Sequence, residues 1–206
     1  NGNAATIHGD GALTLSQPAD EPADRFVFDP RNPVPSLGGS HGDMWNSGPT
    51  DQLEVEKRPD VLVYSTKPLQ KPFLVMGPVR VKLFASATAL DTDFTAKLVD
   101  VFPDGRALIL CEGIVRARYR NGIRAPELMK PGTVYPFDIE VGHTAVRLQA
   151  GHRIRLEISS SNSPNYDVNP NTGRQIATEK EPLRATQQIL HAADTASALI
   201  LPVLER

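Results

Sequence analysis

The most regular signal along the chain is a two-residue alternation. Val79, Val81 and Leu83 alternate with Arg80 and Lys82, and Val115, Ala117 and Tyr119 alternate with Arg116, Arg118 and Arg120. Successive side chains of a strand point to opposite faces, so this pattern predicts strands with one face in a core and one in water. The same reading predicts strands near 25–29, 60–66, 79–87, 94–102, 107–119, 134–141, 144–149 and 152–160. It turns Val81, Leu98, Val115, Ile154 and Leu156 inward and Arg155 outward. Pro103, Asp104 and Gly105 lie between two of the runs. There proline presets one turn dihedral and glycine supplies a positive one, so the neighbouring strands are antiparallel.

Between the strands the chain is polar and punctuated. Residues 1–24 read as a lead-in strand around the Leu13–Leu15 run, followed by a linker. Pro30, Pro33 and Pro35 stop the strand at 25–29, because their missing N–H groups cannot continue a central ladder. A glycine-rich loop covers Leu37–Thr50, and a long irregular loop with Pro164 and Pro170 covers Ser159–Gly173. Loops of that length in a compact domain are often functional. Residues 183–193 fit two templates: Leu183, Ile189, Leu190 and Ala193 can line a helix, whereas Gln187 and Ile189 alternate with Gln188 and Leu190 as in a strand. The LILPVL run at 199–204 then completes a hairpin after a turn at 194–197.

The strings RPDVLVYST, GPVRVKLFAS, DTDFTAKLVDVFPDGRAL and GIVRARYR carry a resemblance, as do DPRNPVPSLGG and DQLEVEKRPD before them and GHRIRLEISSSNSPNYDVNPNTG and LILPVL after them. Together they resemble the C-terminal β domain of the X-prolyl dipeptidyl-peptidase and cocaine-esterase family of serine hydrolases, over nearly the whole chain. The resemblance implies an all-β fold, an antiparallel two-sheet jelly-roll sandwich similar to galactose-binding modules. It implies one domain over 1–206, with 1–24 as its lead-in segment, appended to an α/β-hydrolase catalytic domain that this chain lacks. The Ser-His-Asp triad of such a parent, which would cleave esters or amides, then lies outside this chain, and the partner is that catalytic domain. The resemblance favours a strand over a helix at 183–193. A carbohydrate-binding module of the same architecture is the alternative, since folds do not fix function.

Composition narrows the classes further. The 206 residues carry a formal net charge of −2 with no basic block to track phosphates, which argues against a nucleic-acid partner. No apolar run reaches the ~18 residues of a membrane span. Cys111 is the single cysteine, so no intrachain disulfide forms, and its LILCEGIV setting predicts a buried, inert thiol. A start at Asn1 without methionine is read as a fragment or processed product, and the lack of disulfides and sequons tilts the expected compartment towards the cytoplasm.

Several candidate motifs have plainer readings. Gly38-Gly39-Ser40-His41-Gly42 matches the letters of G-x-S-x-G, but that nucleophile elbow needs a strand before it and a helix after it, and NPVPSL and DMWNSGP supply neither. His8, His41, His143, His152 and His191 show no triad order and no metal spacing, so no cofactor or metal is expected. Asp91 and Asp93 read as a turn whose short acids bond local N–H groups rather than as calcium ligands. Arg116, Arg118 and Arg120 read as one solvated strand face paired with neighbouring acids. Trp45, Asn162, Asn165 and Tyr166 combine aromatic bodies with amides on the two long loops, and these are the candidate interface with the catalytic domain.

Overall fold

The computed structural model describes residues 2–40 and 47–204. Its strands are β1 (Asp24–Phe28), β2 (Leu62–Ser65), β3 (Phe73–Ala87), β4 (Asp93–Val101), β5 (Ala107–Arg116), β6 (Tyr135–Leu148), β7 (Arg153–Ser159), β8 (Ala185–Leu190), β9 (Ala198–Ile200) and β10 (Val203–Leu204). Two antiparallel sheets face each other, as the alternation predicts. One has the order β2-β7-β4-β5. The other is built on β3, which pairs with β6 along one edge and with β8, β9 and β10 in succession along the other, β8 in turn pairing with β1. The only helical turns among the described residues are two 3-10 turns, Ala117–Tyr119 and Ile176–Thr178. No helix there is long and apolar enough to cross a membrane.

The inner faces meet in one core. Phe94, Ala96, Leu98, Leu156 and Ile158 from the four-stranded sheet lie against Val79, Val81, Leu83, Phe137, Ile139 and Ile189 from the other. Val81, Leu98, Ile154 and Leu156 are buried as expected, and Val115 is half-buried against the same cluster. Arg155 departs from the reading, because it is buried. Residues 34–37 and 51–60 cover the outer face of the four-stranded sheet, so all of β4 and all but the first residue of β7 lie inside. A two-sided burial erases the link between polar and solvent-facing that the alternation relies on.

Several boundaries also shift. The predicted strands 134–141 and 144–149 are one strand, β6, which bends without ending: Gly142 takes φ +117°, opposite the register slip at Val79/Arg80. A bulge with a glycine at positive φ lets a ladder continue through what reads as a turn. β3 starts at Phe73, before Pro78. Met76 N–H donates to the Pro202 carbonyl at 2.9 Å, so the same edge at Pro78 falls between β10 and β9, where no donor is called for. Residues 185–190 form a strand, as the resemblance favours, but 199–204 does not return on it. β9 and β10 pair with β3 instead, at 80–82 and 74–75. Residues 13–15 form no strand, and the lead-in meets β2 through isolated bridges at Ala5 and Ala12 rather than through a strand of its own.

One polar cluster pins that lead-in. Asp24 accepts from Ala4 N–H at 2.7 Å and from the Tyr64 hydroxyl at 2.8 Å, and its Oδ2 lies 2.9 Å from His191 Nε2. The hydrogen bond to Asp24 is the main cause holding His191 above its ordinary 6.5, partly opposed by burial and helped by the Asp24 and Glu21 charges. Burial works to raise Asp24, yet the bonds from His191, Ala4 and Tyr64 outweigh it and hold its carboxyl low. A histidine raised by folding contributes stability that is complete below its unfolded value and is lost as pH rises through the folded one. The stability advantage of the native chain over His191→Gln should therefore shrink as pH rises from 6.5 upward. Melting curves of both proteins across that range check it, and a constant gap would exclude the ion pair.

Candidate domain interface

Two loops and one buried carboxylate make up the site. Glu112 sits in β5 beside Cys111, pointing to the covered outer face of the four-stranded sheet. Its Oε2 accepts from Asn162 Nδ2 at 2.5 Å and its Oε1 from Asn165 Nδ2 at 2.8 Å. The loop after β7 is thereby drawn onto β5. Further bonds stitch the same loop to the segment after β1. Ser163 N–H donates to Val34 carbonyl at 2.9 Å, Ser36 N–H to Ser163 carbonyl at 2.7 Å, and Val34 N–H to Ser161 Oγ at 2.9 Å. Asn165 N–H donates to Ser36 Oγ at 3.2 Å.

The glycine-rich loop meets the same carboxylate from the other side. Gly39 has φ +93°, and a Cβ there would run into the Glu112 carboxylate, so the position needs glycine twice over. Gly39 and Gly48 exchange both backbone hydrogen bonds at 2.9 Å, closing the base of the loop. Ser40 lies in an exposed bend with no strand leading into it, so the elbow geometry is absent. Trp45 and His41 fall outside the described residues.

The four candidate residues are therefore placed unequally. Asn162 is buried, 1% exposed, and braces the loop from within. Asn165 is half-buried and engaged by Glu112 and Ser36. Tyr166 is half-buried too, its N–H donating to the Asn162 carbonyl at 3.0 Å. Burial, seconded by the negative Glu112, pushes its hydroxyl up to about 12. The same two causes push the Cys111 thiol up to about 12, and the residue is buried. Glu112 was missed by the sequence reading. Its signal was legible, since it is the one charge inside the apolar LILCEGIV run.

Beyond Tyr166 the loop is held by the acids read as a turn. Asn169 Nδ2 donates to Asp91 at 3.0 Å and to Asp93 at 2.9 Å. Arg116 Nε and Asp93 are 2.9 Å apart, and Arg118 Nε and Asp91 are 2.7 Å apart. Burial raises Asp93, against the opposing pull of Arg116 and Asn169. The three arginines pair with or sit near acids, but not on a solvated strand face. β5 ends at Arg116 because Ala117 N–H turns to the Thr92 carbonyl, and Arg120 folds back over the Tyr135 ring at 4.3 Å, its side chain 3% exposed. Among the described residues no group of three or more His, Cys, Asp or Glu side chains is arranged to hold a metal.

This scaffold is shared with known proteins. Residues 1–200 match the family described as the X-Pro dipeptidyl-peptidase C-terminal non-catalytic domain. The chain belongs to that family. Cocaine esterase of Rhodococcus sp. (strain MB1 Bresler) is 46% identical over 212 residues, covering 100% of this chain and 36% of that protein. An aminopeptidase from a marine-sediment Thaumarchaeota archaeon superposes with TM-score 0.88 at 29% identity, over 98% of this chain and 36% of its own. An α-amino acid ester hydrolase superposes equally well, TM-score 0.88, at 31% identity over 95% of this chain and 35% of its own. This C-terminal domain thus spans about a third of the length of relatives that are larger hydrolases, and they lend no support to the carbohydrate-binding alternative.

Proposed function

We propose that this non-catalytic β-sandwich docks on, and helps shape, the catalytic domain of a serine hydrolase acting on ester or amide bonds, and that it does so through loops 38–50 and 159–173. Support for the parent chemistry comes from the relatives, which are an esterase, an ester hydrolase and an aminopeptidase. The observation that carries the docking surface is Glu112, which binds Asn162 and Asn165 of one loop while abutting Gly39 of the other. The base of the first loop at Gly39 and Gly48 and residues 162–166 of the second are thereby held side by side before any partner arrives, and a surface ordered in advance loses less entropy on association. Tyr166 and Trp45 are its aromatic contacts, and aromatic anchors carry a large share of interface energy. Asn162 and Asn165 act behind them as braces.

Calorimetric titration of the sandwich with separately expressed catalytic domain tests this. Tyr166→Ala and Trp45→Ala should each leave the sandwich folded and weaken binding by at least about 1 kcal/mol, a several-fold rise in Kd. Unchanged affinity in both variants moves the interface elsewhere. The second choice is the open cleft of about 510 Å³ lined by Arg116, Arg118, Tyr119, Asp167 and Ile176.

A further inference from the structure

Four charges lie buried beneath segment 51–60, on the outer face of the four-stranded sheet. Glu56 comes from the segment itself, Lys97 from β4, and Arg155 and Glu157 from β7. Arg155 Nη1 is 2.5 Å from Glu56 Oε2 and its Nε donates to Ser65 Oγ at 2.8 Å. Lys97 Nζ is 3.0 Å from Gln52 Oε1 and 4.0 Å from Glu157 Oε2. Each carboxylate faces a cation through one oxygen only. Glu56 Oε1 and Glu157 Oε1 are both fully buried and have no hydrogen-bond donor, although the two side chains contact each other.

Two unpartnered acceptors on side chains that touch, sealed from water, constitute a defect if both acids are ionised, since a buried acceptor without a donor costs free energy. One proton between them repairs both at once: the protonated carboxyl donates its O–H and the ionised one accepts. Glu157, Lys97 and Glu112 lie in one cross-strand row, and these with Arg155 and Glu56 are, among the described residues, the charged groups that face the pair from β7, β4, β5 and the cover. We infer that Glu56 and Glu157 share one proton at neutral pH, and that this proton fastens segment 51–60 to the sheet.

The consequence is a pH-sensitive fastening directly beside a docking loop. Gln52, fully buried, bonds the carbonyls of Leu37 and Thr50 through its Nε2, so the cover and the 38–50 loop share their attachment. Burial is the main cause pushing Glu157 up, to about 8 from 4.5, with Lys97 opposing and Glu56 reinforcing. For an acid raised by folding, the native state binds the proton that the unfolded chain has released. Stability attributable to the pair therefore falls as pH climbs from 4.5 to about 8 and is level above that.

Carbon-13 NMR of glutamate side-chain carboxyls in the intact chain reads the proton directly. The expected result is one carboxyl, or one coupled pair, with the chemical shift of the protonated form at pH 7, titrating well above the other glutamates, and absent from Glu157→Gln. The melting-temperature advantage of the native chain over Glu157→Gln should shrink between pH 5 and pH 8. Should Glu157→Gln fail to fold, the titration of the native protein still decides. If every glutamate carboxyl is ionised by pH 6, water or a cation supplies the missing donor and the shared proton is ruled out.

Discussion

Replacing Arg155 with alanine is expected to lower the unfolding free energy by about 3–5 kcal/mol, as when one partner of a buried ion pair is removed. The position looks like a surface arginine in the sequence, flanked by Ile154 and Leu156, and a surface substitution would change stability by no more than about 0.5 kcal/mol. Its guanidinium instead bridges Glu56 of the cover and Ser65 of β2, both across long sequence separations. Truncation leaves Glu56, fully buried, next to Glu157 with no countercharge. Urea unfolding of the native chain, Arg155→Ala and Arg155→Ala/Glu56→Gln checks this. The double variant should recover part of the loss, because it removes the stranded charge. A single-variant effect within about 0.5 kcal/mol would show that water reaches the cluster.

Phe94→Ala should cost a similar amount, about 3–5 kcal/mol, for a different reason. Phe94 is fully buried where the two sheets meet, its ring centroid 4.9 Å from that of Phe137 at an interplanar angle of 49°. Tilted aromatic pairs add about 0.5–1.5 kcal/mol beyond the area they bury. Truncation opens a cavity between strands β4 and β6, and both strands are fixed by long ladders that cannot close onto it. Typical domains hold about 5–15 kcal/mol in total, so the variant should unfold at a much lower urea concentration. Leu15→Ala, at a fully exposed position, is the control and should leave the midpoint unchanged. Equal midpoints for the two variants would mean that the sheets do not meet at Phe94.

Local periodicity determined the strands of the sandwich and which residues of β3, β4 and β7 enter the shared core, because alternation is a property of neighbouring residues. The turn at Pro103–Gly105 and the inert Cys111 were legible for the same reason. The family resemblance added the strand at 185–190, where local pattern fitted helix and strand alike. Tertiary structure decided the rest. Whether the outer face of a sheet meets water depends on a segment that returns over it from elsewhere in the chain. Arg155, Lys97 and Glu157 therefore look solvated in sequence and are buried in the fold. The pairing of β9 and β10 with β3 is likewise non-local, since a hairpin prediction assumes that sequential strands are neighbours. Glu112 drew the two loops together, and that role required the positions of Gly39, Asn162 and Asn165 at once. No short window of sequence contains all four, because Gly39 and Asn165 are far apart in the chain and meet at Glu112 only in the fold.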